Sequence, residues 1–269
     1  MKIIQVSDTH IVPPGRGLWG FNPRARLEAC IADINAHHGD ADLCIVTGDL
    51  TDRGEPEAYG DLREILATLR VPVRLIIGNH DNRDNFIAAF PEVPRDPGGF
   101  VQQAIDCAAG RLLLLDSHDV PTKGSGAFCA QRAAWLEDEL EAAGARPVYL
   151  FIHHPPFEIG VPFMDRIRLL DPSALEKVLA GRDNIKHLFF GHVHRPISGS
   201  WKGIPFSALR STVHQVPLYT PGPDGHPFCA EEPTYAVILL EEDRVMVHLH
   251  EFLTDRSLPA DTPKATMLA

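Results

Sequence analysis

Short runs rich in Leu, Ile, Val and Phe recur along this chain, at 3–6, 43–46, 73–77, 112–115, 148–152, 188–190, 235–240 and 245–249. Runs of this length with no polar alternation are strands buried on both faces, as in a sheet covered by helices. Helical spacing fills several of the gaps. Leu27, Ile31 and Ile34 make one apolar stripe, and Leu62, Ile65, Leu66 and Leu69 make another. Asn22-Pro23 and Asp171-Pro172 each put a capping side chain before a proline at the first helical position. The last two runs flank Glu241-Glu242-Asp243-Arg244 and read as a hairpin. Strands alternating with helices predict an α/β fold of packed layers.

At 269 residues the chain can bury about three quarters of its unfolded surface in one large domain without disulfides or structural metals. Its 25 Lys and Arg stand against 36 Asp and Glu, a net charge of -11 with no basic run, which disfavours a long nucleic acid as partner. Cys30, Cys44, Cys107, Cys129 and Cys229 are odd in number and lack CxxC spacing, so free thiols in a reduced compartment are expected. The apolar start meets Asp8 too soon for a secretory segment, and no run approaches the roughly 20 apolar residues of a membrane span. A cytoplasmic protein with no membrane partner is the expectation. Residues 217–233, rich in Pro and Gly, read as a long surface loop, and the polar tail after Leu253 as a docking segment or a free end.

The functional signal collects at the ends of the strands. Five runs end in Ser7-Asp8-Thr9-His10, Thr47-Gly48-Asp49-Leu50-Thr51-Asp52, Gly78-Asn79-His80-Asp81, His153-His154-Pro155-Pro156 and Gly191-His192-Val193-His194. Ligands of open α/β sheets sit beyond the carboxyl ends of the strands, so these carboxylates, imidazoles and an amide are delivered to one edge. Residues i and i+2 of an extended segment share a face, which would let Asp8 with His10, and His192 with His194, address one point. Imidazole mixed with carboxylate suits Zn, Fe, Mn, Co or Ni better than Ca or Mg. The donors exceed what one ion takes, which points to two ions sharing a carboxylate.

The ordered set DxH, GDxxD, GNHD, HH and GHxH resembles the calcineurin-like metallophosphoesterases over roughly residues 1–215. The resemblance implies two packed mixed β-sheets flanked by helices, an αββα sandwich. It also implies one divalent transition-metal ion (Fe, Mn, Zn or Co) on Asp8, His10, Asp49 and His194. A second ion would sit on Asp49, Asn79, His153 and His192, with Asp49 bridging. Leu18-Trp19-Gly20-Phe21 and 212–217 (Thr-Val-His-Gln-Val-Pro) resemble, more narrowly, the bacterial glycerophosphodiesterase and class III cyclic nucleotide phosphodiesterase branch. The expected catalytic domain is 1–216. Residues 217–269, holding the loop, hairpin and tail, either join that domain or serve as an oligomerisation or lid element.

The expected chemistry is in-line attack on a small phosphodiester, a cyclic nucleotide such as cAMP or a glycerophosphodiester, by a hydroxide bridging the ions. Two divalent ions, Asp8, Asp49 and that hydroxide leave about one positive charge, which matches a monoanionic diester better than a monoester dianion. His80 would protonate the leaving alkoxide, with Asp81 orienting its ring. Trp19, Phe21 and His214 would contact the rest of the substrate. A phosphomonoesterase or nuclease on the same fold, and a noncatalytic metal-binding scaffold, are the alternatives. A homo-oligomer built on the C-terminal hairpin is expected by analogy. His154 should point away from its neighbour and pack behind the site. His37, His38, His118, His187, His226, His248 and His250 fall outside the motif set and are read as packed or solvated.

Overall fold

The computed structural model describes residues 1–119, 124–219 and 227–255. The strands are β1 (Lys2–Val6), β2 (Leu43–Thr47), β3 (Val73–Ile76), β4 (Gln103–Cys107), β5 (Gly110–Leu115), β6 (Val148–Ile152), β7 (Ile185–Phe190), β8 (Ile197–Trp201), β9 (Ile204–Ala208), β10 (Thr234–Leu240) and β11 (Val245–Glu251). The helices are α1 (Pro23–His37), α2 (Pro56–Leu66), α3 (Arg83–Ala89), α4 (Ala130–Ala143), α5 (Pro162–Asp165) and α6 (Ser173–Leu179). One sheet runs β11-β10-β1-β2-β3 and the other β4-β5-β6-β7-β9-β8. Strands β1 to β3 are parallel, as are β5, β6, β7 and β9, while β10, β11, β4 and β8 run antiparallel to their neighbours.

Period-two alternation within each strand builds the layers. Ile3, Ile45, Ile76 and Ile238 of the first sheet meet Leu112, Leu114, Phe151 and Phe189 of the second in a core between the sheets. The alternate residues Ile4, Val6, Val46 and Leu75 turn outward onto α1, α2 and α3. Leu113, Leu115, Leu150 and Phe190 do the same beneath α4 and α6. Helix, sheet, sheet, helix is thus the layer order, the expected αββα sandwich. Every strand of both parallel blocks aims its carboxyl end at the same edge.

Local signals fare well where they are strong. Asn22 caps α1 by accepting the Ala25 N–H at 3.1 Å, with Pro23 first in the helix. At the other expected cap, α6 starts one residue later, at Ser173: Pro172 is itself the N-cap, and Asp171 takes the Ser173 N–H at 3.0 Å. The hairpin forms as expected, but β10 lies along β1, so the sheet that carries Asp8 is completed from the C-terminal part of the chain. Strands β4, β8 and β9 lack long apolar runs and are unread in the sequence; β8 is mostly exposed. Of the expected loop at 217–233, residues 220–226 lie outside the described residues, as does the tail from 256 on. All five cysteines are free thiols, and among the described residues no helix is long and apolar enough to cross a membrane.

His187 in β7 is packed on Phe189, ring centroids 4.2 Å apart, with Nε2 2.9 Å from the Ser207 hydroxyl. Burial pushes its imidazole down to about 4 from an ordinary 6.5. The unfolded chain takes up this proton near pH 6.5 and the folded chain only near pH 4, so the contribution is complete above 6.5 and disappears as the pH falls toward 4. Up to about 3 kcal/mol is at stake. Urea unfolding of wild type and His187→Gln at pH 7 and pH 4.5 should show a smaller acid loss in the variant; parallel losses would remove His187 from the account.

Candidate metal centre

The five polar segments lie just beyond the strands and are laced together by backbone bonds. Asp8 N–H donates to the Gly48 carbonyl at 3.0 Å, His10 N–H to Asp49 at 2.9 Å and Ile11 N–H to Leu50 at 3.1 Å, which continues the β1-β2 contact past its last strand pair. The Ser211 hydroxyl holds the Asp8 carbonyl at 2.7 Å. Asp8, His10, Asp49, His192 and His194 all have left-handed backbones, with φ of 55°, 41°, 48°, 66° and 48°. For residues with a side chain this conformation costs about 1 kcal/mol or more each, and strain of this kind collects at functional sites. The extended i, i+2 geometry expected for Asp8-His10 and His192-His194 is therefore wrong. β1 stops at Val6 and β7 at Phe190, so strand alternation has ended before these residues, and a left-handed curl turns both members of each pair inward.

Two donor sets meet at Asp49. In the first, ligand atoms of Asp8, His10, Asp49 and His194 lie within 4.8 Å of one another. His194 donates Nδ1–H to the His214 carbonyl at 2.7 Å, leaving a lone pair on Nε2, 3.2 Å from Asp8 Oδ1. His10 turns Nδ1 toward Asp52 at 3.6 Å and brings Nε2 to 3.1 Å from that of His194. In the second, His153 donates Nδ1–H to the Thr47 carbonyl at 2.7 Å and presents Nε2 to Asp49 Oδ1 at 3.3 Å and Asn79 Oδ1 at 3.2 Å. His192 adds a buried Nε2 with no hydrogen-bond partner among the described residues. The other Asp49 oxygen, Oδ2, lies 3.8 Å from His10 Nε2, so its two oxygens address different sets.

The electrostatics are those of an anionic floor. Burial favours the neutral form of Asp49, but His153 and the neighbouring imidazoles outweigh it and hold the carboxyl well below its ordinary range. Burial likewise opposes the His153 imidazolium, yet Asp49 raises it to about 9. His192, where burial dominates, drops to about 3. Two imidazole nitrogens 3.1 Å apart over carboxylates make a donor set suited to a cation. An ion with bonds of about 2.0 to 2.2 Å to N and O ligands spans such a set, and backbone carbonyls that fix the outer imidazole nitrogens are the usual support for metal-binding histidines. The residues present fit two transition-metal ions.

The family model for calcineurin-like phosphoesterases matches residues 1–196. The chain belongs to the calcineurin-like phosphoesterases. A probable cyclic nucleotide phosphodiesterase of Rhodopseudomonas palustris is 44% identical over 96% of this chain and 95% of its own. The glycerophosphodiester phosphodiesterase GpdQ of Enterobacter lignolyticus is 32% identical over 81% of this chain and 79% of its own. Among solved structures, a dimetal phosphatase from Danio rerio shares the fold, with a TM-score of 0.69 at 15% identity over 94% of this chain and 96% of that one. This phosphoesterase thus sits in the branch that the narrower resemblance indicated.

A cavity of about 390 Å³ opens over the floor, and His10, Asp49, Asn79, His80, His192, His194, His214 and Trp19 line it. Asp8 and His153 lie buried at its base. Two expected residues are elsewhere. Phe21 is not in the lining: its ring lies 4.1 Å beneath the Arg26 guanidinium, which donates to the Val213 carbonyl at 2.7 Å, so it braces the loop. Asp81 does not orient His80, whose Nδ1 donates to the Asp52 carbonyl at 2.7 Å. Its buried carboxylate instead takes N–H bonds from Gly78 at 2.9 Å, Leu50 at 3.1 Å and Thr51 at 3.2 Å, tying the second motif loop to the third. Burial first, then Asp49, lifts its carboxyl to about 6 against those bonds. His154 also departs from expectation. β6 ends at Ile152, so alternation does not carry it away; its ring lies 4.6 Å from that of His192, with Nδ1 2.8 Å from the Ser117 hydroxyl. Asp52, Arg53, Phe163, Met164, Ile167, Val216 and Phe228 complete the lining. Asp52 and Val216 stood inside quoted motifs; the others carry no local signal.

Since Asn79 offers a neutral amide oxygen, a weaker donor than a carboxylate, Asn79→Ala should empty the second donor set first. Elemental analysis at limiting manganese should fall from about two ions per chain toward one. Loss of both ions together would show that the two sets do not fill separately.

Proposed function

We propose that the chain is a binuclear metal-dependent phosphodiesterase acting on small diesters, cyclic nucleotides or glycerophosphodiesters. The observation that carries this reading is Asp49, whose two oxygens address two donor sets on the floor of one cavity. The names of the relatives, one for cyclic nucleotides and one for glycerophosphodiesters, support the same substrate range. Asp8, His10, Asp49 and His194 would hold one ion, and Asp49, Asn79, His153 and His192 the other. Bound there, the ions would supply Lewis acidity toward the phosphoryl oxygens and a water acidic enough to deprotonate at neutral pH.

His80 is the proton carrier of this scheme. Its main-chain N–H donates to Asp49 Oδ1 at 2.9 Å, which pins the residue to the floor. Its Nδ1–H is committed to the Asp52 carbonyl, so Nε2 is left on the cavity side, 4.0 Å from Asp49 Oδ2. Burial works against a charged ring, but Asp49 and the Asp52 carbonyl outweigh it and raise the imidazole above its ordinary value. As the P–O bond breaks, the Nε2 proton passes to the leaving alkoxide. Two divalent ions counted against Asp8, Asp49 and one hydroxide would leave about one positive charge, which suits a monoanion.

His80→Ala should keep both metals by elemental analysis and lose about 10² to 10⁴ in kcat on alkyl diesters. Esters with a p-nitrophenolate leaving group, which needs no proton, should lose less. With manganese-loaded wild type, kcat/KM should be higher for a diester than for the matching monoester. A monoester preference across the panel would overturn the assignment and favour the phosphomonoesterase reading.

A further inference from the structure

The cavity has two unlike ends. Its polar end is imidazole, carboxylate and the Asn79 amide, with the Arg53 guanidinium beside Asp52; its apolar outer wall is Trp19, Phe163, Met164, Ile167, Val216 and Phe228. Most of that wall rests on a hydrophobic cluster of its own, in which Val161, Met164 and Val216 are buried against Ile159, Ile167 and Phe228. The buried residues of this satellite are distinct from those of the three clusters that hold the sheets and helices, and Ile159 joins it to the cluster beneath α4 and α6. It is fixed locally: Asp165 Oδ1 accepts the Ile159 N–H at 2.7 Å, and Arg195 donates to the Val216 carbonyl at 2.7 Å. Phe163, on α5, leaves 36% of its surface exposed at the cavity, and Trp19 leaves 54%. Trp19 is also strained. Leu18 and Phe21 exchange backbone bonds of 2.9 and 2.8 Å around Trp19 and Gly20, both with positive φ, a tight type I′ turn whose first central position ordinarily falls to Asn, Asp or Gly. A bulky residue held there with half its surface in solvent is not repaid by burial, and such strain is a mark of function.

We infer that this wall, with Phe163 as its chief side chain, is the specificity subsite of the phosphodiesterase site, and that it takes the planar base of a nucleotide rather than the polyol of a glycerophosphodiester. The inference rests on the proposed reading of the metal floor. Across its six residues the wall offers one side-chain N–H, on the Trp19 indole. A glycerol hydroxyl placed against the Phe163 and Phe228 rings or the Met164, Ile167 and Val216 side chains loses water without regaining a hydrogen bond there, which is costly. A base instead lays its faces on aromatic rings and keeps its polar edge toward the mouth of the cavity, an arrangement worth about tenfold or more in affinity per base. Because the wall stands on a satellite cluster, changing it should leave the floor intact.

The test is calorimetric titration of manganese-loaded protein with 5′-AMP and with glycerol 3-phosphate, which share the phosphate and differ in what the wall would hold. Phe163→Ala should weaken 5′-AMP by about tenfold and glycerol 3-phosphate by less than twofold, with metal content and Tm unchanged. Phe163→Leu, which keeps the apolar bulk without the ring, should fall between. In turnover, Phe163→Ala should raise KM for 3′,5′-cyclic AMP and leave glycerophosphoethanolamine unchanged. Equal weakening of both phosphates, or no change in either, overturns the inference. Failure of the wild type to hydrolyse either diester defeats the functional reading instead, and the 5′-AMP titration alone then decides the wall.

Discussion

A carboxylate buried beneath a cavity, Asp49, sets the terms for everything around it. It is almost wholly removed from water, and a lone ionised carboxylate in that position would be prohibitively costly. It is tolerated because the His80 N–H and the His153 and His10 imidazoles converge on it. That convergence leaves no room for error in the chain. A Cβ on Gly78 would strike the Asp49 carboxylate and the His153 ring at Nε2, and one on Gly48 would strike the same ring at Nδ1. Asp81, buried outside the cavity, spends its carboxylate on backbone N–H groups of two loops, so the motifs hold each other in place before any ion binds.

The two sheets make the floor a shared property of the whole fold. Asp8, Asp49 and Asn79 come from the ends of one sheet, and His153, His192 and His194 from the ends of the other. The inter-sheet layer of Ile3, Ile45, Phe151 and Phe189 therefore fixes the separation of the donors. Arg83, the first residue of α3, reaches across to the buried Asp116 beyond β5 with two hydrogen bonds of 3.1 and 3.0 Å, and clamps the halves beside the site. The outer wall is built differently, on a small cluster under α5 and the Val216 segment. One rigid floor with a separately supported wall is an arrangement in which the alcohol that is accepted can change while the phosphoryl chemistry stays fixed.

The legibility of this protein in its sequence depends on the range over which each rule acts. The buried strands, the stripe of α1 and the Asn22 cap are local patterns, and they are where the sequence puts them, except that 245–249, expected to be buried, forms the half-exposed edge strand β11. The edge strand β8 was illegible because an exposed edge needs no apolar run. Alternation misled at Asp8-His10, His192-His194 and His154 for one reason: each lies past the last paired residue of its strand, where pleating no longer governs direction.

By itself the sequence determined the α/β class, the ligand types gathered after the strands and the family to which they belong, because strand periodicity and the chemistry of Asp, Asn and His are properties of short segments. Only the tertiary structure decided that Asp81 ties loops and does not steer His80, that Phe21 braces Arg26 outside the cavity, and that Phe163 and Phe228, outside every motif, stand over the floor. Those outcomes depend on contacts between segments far apart along the chain, and the packing of two sheets against each other is what brings such segments together.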